Sequence, residues 1–166
     1  MKMDVGTLLV GLISVGVFAL PFVLTVRGRR KKKNRLVKSL NHLAAGQNTT
    51  LGQKEFCGNY VIGMDRENNF VFFQKTIKKE LQPPQMVDLS QIKACKILNQ
   101  ANNVKGERII EKLGLQFQPI KNDRPEIYLE FYHHEQSYQV QGELQSLEIW
   151  SQRINDSLRE LKSKGL

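Results

Sequence analysis

Val5-Gly6-Thr7-Leu8-Leu9-Val10-Gly11-Leu12-Ile13-Ser14-Val15-Gly16-Val17-Phe18-Ala19-Leu20-Pro21-Phe22-Val23-Leu24-Thr25-Val26, followed at once by Arg27-Gly28-Arg29-Arg30-Lys31-Lys32-Lys33-Asn34-Arg35, decides how the chain is read. The first part is uncharged over 22 residues. At about 1.5 Å per residue that is roughly 33 Å of helix, against ~30 Å of bilayer hydrocarbon. Its polar side chains are Thr7, Ser14 and Thr25, whose hydroxyls can bond back to the helix. A core helix of this length would show a polar face, and this one has none. A cleaved leader carries its positive charge ahead of the apolar run, whereas here Lys2 is offset by Asp4 and seven basic residues follow. The pattern predicts a retained single transmembrane helix.

The charge asymmetry also predicts an orientation. Lys and Arg favour the cytoplasmic side of a crossing, so the expectation is a plasma (inner) membrane protein with its N-terminus outside and its C-terminal domain cytoplasmic. Two cysteines, Cys57 and Cys95, fit a reducing compartment better than a disulfide scaffold. The formal net charge is +9, but residues 1–38 hold nine basic groups and one acid. Subtracting these from 25 basic and 16 acidic groups leaves 16 and 15 in residues 39–166, a net +1. With no basic stripe and no interleaved aromatics there, nucleic acid is excluded as a partner. The sites for membrane headgroup contact are Arg27, Arg29, Arg30, Lys31, Lys32, Lys33 and Arg35, either as a topology signal or as ligands of anionic lipid.

Beyond the basic run, Leu36, Val37, Leu40, Leu43 and Ala44 recur at helical spacing from Asn34 to Ala45, and Gly46-Gln47-Asn48-Thr49-Thr50 reads as a connector. The period then becomes alternating. One strand is expected over Glu55–Met64, with Phe56, Tyr60, Ile62 and Met64 on one side. Asp65-Arg66-Glu67-Asn68-Asn69 is a polar hairpin loop, and Phe70–Lys75 a second strand. Pro83-Pro84 interrupts pairing before Met86–Leu89, and Ile92–Leu98 follows, ending in an Asn-rich loop at 99–103. Leu113, Leu115 and Phe117 face inward on a fifth strand, and Ile127, Leu129 and Phe131 on a sixth with Tyr132 outward. A short seventh covers Ser137–Val140. Seven short antiparallel strands predict a barrel or sandwich. A final helix from Glu143 to Lys164 lines up Leu147, Trp150, Ile154, Leu158 and Leu161 as one apolar stripe that must cover something.

Seven strands closed by a Trp-bearing helix resemble the bacterial pleckstrin-homology-like (PH-like) domains. Val87–Ile97 is similar to their third-to-fourth strand corner, and Glu143–Asn155 with Trp150 to their closing helix. The resemblance covers residues 53–162 and implies a fold that is mainly β with helices. The expected architecture is an N-terminal transmembrane helix, then a seven-stranded antiparallel PH-like barrel capped by a C-terminal amphipathic helix. The divisions are 1–26 (tip and crossing), 27–50 (basic segment, amphipathic helix and linker) and 51–166 (PH-like domain). Members that bind inositol lipids carry Lys and Arg around the first hairpin loop. Here that loop is net negative.

Little chemistry is encoded. His133-His134-Glu135 is the lone histidine pair, and neighbours on a strand point to opposite faces. Cys57 and Cys95 have no CxxC spacing and read as small core residues. Asp65–Asn69 lacks the glycine and distal glutamate of a calcium loop. Tyr60, Tyr128, Tyr132 and Tyr138 could mark an aromatic surface. No catalytic, cofactor or metal residues are assigned. The expected function is a non-enzymatic, membrane-anchored scaffold or adaptor domain binding an unidentified protein partner. The alternative is a lipid-binding regulator that uses the basic segment and barrel.

Overall fold

A computed structural model describes residues 5–65, 67–104, 106–137, 139–140 and 142–165, with side chains from Ile13 onward and without that of Val104. Lys2, Asp4, Arg66 and Tyr138 lie outside the described residues. The first element, α1, runs Val5–Gly46 with Pro21 inside it. The Thr25 hydroxyl donates to Pro21 O, as its place in the run suggested. The chain divides into two compact units, one ending at Arg35 and the other spanning Leu36–Leu166.

The expected membrane crossing is corrected here. Among the described residues, no helix is long and apolar enough to cross a membrane. The uncharged run that suggested a crossing ends at Val26. Helix α1 then continues into Arg27 and the basic run, which hydrocarbon cannot accept. The single-pass inner-membrane location and its orientation fall with the crossing.

In the second unit the chain builds two antiparallel sheets. The first contains β1 (Gln53–Cys57), β2 (Tyr60–Asp65), β3 (Phe70–Ile77), β4 (Glu80–Leu81) and β5 (Gln85–Asp88), in the order β1-β2-β3-β4 with β5 also paired to β3. The second contains β6 (Ile92–Val104), β7 (Glu107–Pro119) and β8 (Ile127–His133), in that order. Helix α2 (Glu143–Ser163) follows. The expected closed seven-stranded barrel is therefore replaced by sheets of five and three strands. The physical reason lies at the gap between β8 and the first sheet. There, side-chain bonds take the place of a ladder, and Pro83-Pro84 lacks the N–H groups that pairing would need.

Turn chemistry also moved the strand boundaries. The single strand expected over 55–64 is a hairpin, because Gly58 adopts φ +53° and Cys57 pairs with Tyr60. A glycine with positive φ in the first position of a two-residue turn suits the twist of a hairpin. Phe56 therefore faces away from Tyr60, Ile62 and Met64, contrary to the expected grouping. The Asn-rich loop expected at 99–103 is instead paired strand, with Asn102 opposite Ile109, and the reversal comes at Gly106 (φ +86°). Ser137, Gln139 and Val140 are not in a strand.

Two cores result. Tyr60, Ile62, Met64, Val71 and Phe73 of the first sheet meet Leu113, Leu115, Phe117, Leu129 and Phe131 of the second. Leu147, Trp150, Ile154, Leu158 and Leu161 cover them from α2. The stripe read from the sequence is thus the buried face of that helix. Trp150 is fully buried, and its indole N–H donates to Glu55 Oε2 at 2.7 Å. On the outer face of the first sheet, Leu36, Leu40 and Ala44 of α1 pack on Val61 and Phe72, with Phe56, Phe70 and Leu81 at the margin. Every residue of β2 is consequently buried. At Gly63 a Cβ would lie 3.2 Å from Gln53 O and 3.4 Å from Leu40 Cδ2, so the missing side chain lets α1 approach the strand.

Candidate functional site

The site grows out of the failed closure. Among the described residues strand β8 pairs with β7 alone, so its other edge faces β3 and the β4–β5 link across a cleft of about 350 Å³. Strand β3 alternates Phe73, Lys75 and Ile77 into the cleft. Gln82, Pro83 and Gln85 form one wall, and Tyr128 and Glu130 the other.

Lys75 continues an apolar strand and is buried, its side chain 5% exposed. Its ammonium lies 2.7 Å from Glu130 Oε1, and that carboxylate, 26% exposed, also accepts from Gln136 Nε2 at 3.2 Å. A desolvated cation requires such a partner. Gln85 Nε2 reaches Tyr128 O at 3.4 Å, which shows that this carbonyl faces the cleft rather than β7. Gln74, buried on the opposite face of β3, accepts from Ser39 Oγ of α1 at 2.8 Å and donates to Gln82 O. The amphipathic part of α1 thereby anchors the cleft wall.

Tyr128 lies across β7. A Cβ on Gly114 would fall 2.4 Å from its ring, so only glycine fits beneath it. Its hydroxyl is buried without a hydrogen-bond partner among the described residues. Burial first, and then the charge of Glu130, push its pKa up to about 12. Phe131 has no partner in β7, where Leu113 pairs with Tyr132 and Gly114 with Glu130. That bulge turns Tyr132 into the core at 3% exposure, and Tyr60 is fully buried. The aromatic surface considered from the sequence is therefore not formed by these two.

The remaining candidates are apart from the cleft. His133 closes β8, where its Nδ1 accepts from Glu135 N at 3.2 Å, while His134 Nδ1 lies 3.5 Å from the Tyr132 hydroxyl. Among the described residues, no group of three or more His, Cys, Asp or Glu could hold a metal ion. Cys57 and Cys95 are free thiols. Burial pushes Cys95 up to about 12 and raises Cys57 as well, the reverse of what a nucleophilic thiolate needs. Asp65 closes the β2–β3 loop, accepting from Glu67 N at 2.9 Å and Asn68 Nδ2 at 2.7 Å. Of the basic run, Arg27, Arg29, Arg30, Lys31, Lys33 and Arg35 are exposed and Lys32 is half-buried. They lie on successive positions of α1, so they surround the helix rather than form one face.

Sequence reading missed the cleft because its walls come from three distant segments. Two signals were present: a lysine in the run Phe70-Val71-Phe72-Phe73-Gln74-Lys75, and a proline pair that ends strand pairing. No protein-family model, curated protein or solved structure matches the chain.

Proposed function

We propose that the chain is a non-enzymatic interaction module, of the PH-like type its element order resembles, which binds a protein partner along the free edge of β8. The observation that carries this reading is an unpaired seven-residue strand edge beside a cleft, with one of its carbonyls already turned outward to a side-chain donor. Unpaired edges are templates for another chain's strand. Two sheets followed by a covering helix support the PH-like resemblance. The raised thiols and the mutual pairing of Lys75 and Glu130 favour binding over catalysis.

The test is site-dependent photocrosslinking in cells. A photoreactive residue replacing Gln85 should yield a protein adduct, and the same residue replacing exposed Arg108 on β7 should not. Equal adducts at both positions, or none at Gln85, would refute the reading. A second reading, favoured by the six exposed cations of the basic run, is contact with anionic lipid headgroups. Salt-sensitive binding of the full chain to anionic vesicles, abolished by reversing the charges from Arg29 to Lys33, tests it. Binding that survives that reversal would sink it.

A further inference from the structure

The chemistry around β8 narrows what its edge can accept. Three other edges carry their own protection. Asn155 of α2 accepts from Cys95 N at 3.4 Å and donates to Cys95 O at 3.0 Å, and Lys162 Nζ donates to Lys93 O at 3.0 Å, so α2 covers the start of β6. Strand β1 carries Lys54 at an exposed position, and β5 is four residues long. Strand β8 has neither Lys nor Pro in Ile127–His133, and its one acid, Glu130, is neutralised by Lys75. Among the described residues a single exposed amide, Gln85, reaches its backbone, through a 3.4 Å bond that an incoming backbone N–H can replace.

Charge decides the rest. Lys75 and Glu130 neutralise one another at 2.7 Å, and the other lining residues are uncharged. A charged side chain entering the cleft would find no free counterion and would have to break that pair. Ile77 and Pro83 offer apolar contact instead, with the buried Phe73 ring as the floor beneath them. Charges near the ends are mixed, with Lys78, Lys79 and Glu80 at the β3–β4 turn and Glu126 and Glu135 flanking β8. They impose no single sign on the flanks of a ligand. A volume of about 350 Å³ equals roughly a dozen waters at ~30 Å³ each, room for one large side chain with its backbone.

We propose that β8 accepts, as an added strand, an extended peptide segment whose central side chain is large, apolar and uncharged and enters the cleft between Phe73, Ile77 and Pro83. This rests on the interaction reading given above and specifies the partner. Strand alternation directs every second side chain of the segment to the cleft and the others to solvent.

The probe is a capped nine-residue peptide alternating threonine and valine around a central phenylalanine, with a lysine at each end, added to the full chain. Fluorescence anisotropy should show binding, and hydrogen exchange should slow at the amides of Tyr128 and Glu130. Replacing the central phenylalanine by alanine should weaken binding about tenfold or more, the scale of burying an aromatic side chain. Glutamate and lysine at that position should each abolish it, as should methylation of alternate peptide nitrogens. Gln85→Trp, at an exposed position, should fill the cleft and remove binding with an unchanged melting temperature. Equal affinity for the phenylalanine and alanine peptides overturns the proposal, as does preference for a charged centre, indifference to nitrogen methylation, or no binding at millimolar peptide. If the peptide fails while a photoreactive residue at position 85 still captures a protein site-specifically, the partner class is wrong and the interaction reading stands. If both fail, the reading itself is wrong.

Discussion

Leu40→Ala tests whether residues 36–46 of α1 belong to the folded domain or merely precede it. Leu40 is fully buried, against Val61 and Phe72 and over Gly63. The substitution deletes three carbons, which at ~0.8 kcal/mol per buried methylene is about 2.4 kcal/mol of transfer free energy. A residual cavity of a few tens of Å3 adds about 0.5–1 kcal/mol at ~24 cal/mol per Å3. The expected cost is about 3 kcal/mol, a large share of the ~5–15 kcal/mol that holds a domain together. In urea, with a slope of roughly 2 kcal/mol/M, the unfolding midpoint should fall by about 1.5 M. Lys38→Ala and His42→Ala, on the exposed side of the same turns, are the controls and should stay within about 0.5 kcal/mol. If Leu40→Ala behaves like those controls, the helix is not packed on the outer face of β2 and β3, and the second core is wrong. The same reasoning predicts that a chain starting at residue 47 exposes Val61 and Phe72 and aggregates.

Three more predictions concern the cleft, a strained turn and the buried acids. Glu130→Leu strands the buried Lys75 ammonium and should cost about 2–3 kcal/mol, below the ~3–5 kcal/mol of a fully buried pair because Glu130 is 26% exposed. Adding Lys75→Met should restore most of that loss in urea unfolding, and simple additivity of the two costs would refute the pairing argument. Lys78 and Lys79 hold φ values of +50° and +71° in a two-residue turn that favours Asn-Gly. Because left-handed backbone costs a side-chain-bearing residue about 1–2 kcal/mol, Lys78→Asn with Lys79→Gly should raise the melting temperature by roughly 2–6 °C, and an unchanged or lower value would contradict that turn. Cys95 and Tyr128 are neutral acids held at about 12, above their ordinary 9.0 and 10.0. The folded state keeps these protons longer than the unfolded chain, so their contribution to stability is constant below about pH 9 and is lost as pH rises towards 12. Urea midpoints measured upward from neutral pH should show the decline, and Cys95→Ala should flatten its first part. A wild-type profile without a decline would argue against burial of these groups.

Local pattern determined a good part of this protein. The alternation of Leu113, Leu115 and Phe117, and of Leu129 and Phe131, identified the inward faces of β7 and β8, and the three-four spacing of Leu147 to Leu161 identified the buried stripe of α2. Those signals are legible because a strand or helix meeting one core repeats its apolar residues at its own period. The basic run was also plain, as was the pairing break at Pro83-Pro84. Tertiary structure decided what periodicity cannot carry. The run Phe70-Val71-Phe72-Phe73 is apolar throughout because β3 is buried on both faces, one by the second sheet and one by Leu36 and Leu40, which lie 30 or more residues away in sequence. A glycine at φ +53° split one expected strand and turned Phe56 to the opposite face. Whether two sheet edges meet depends on twist, bulges and the reach of opposing strands, all non-local quantities. The cleft exists because β8 is joined to the first sheet by Glu130 on Lys75 of β3 and by the Gln85 amide of β5, in place of a backbone ladder.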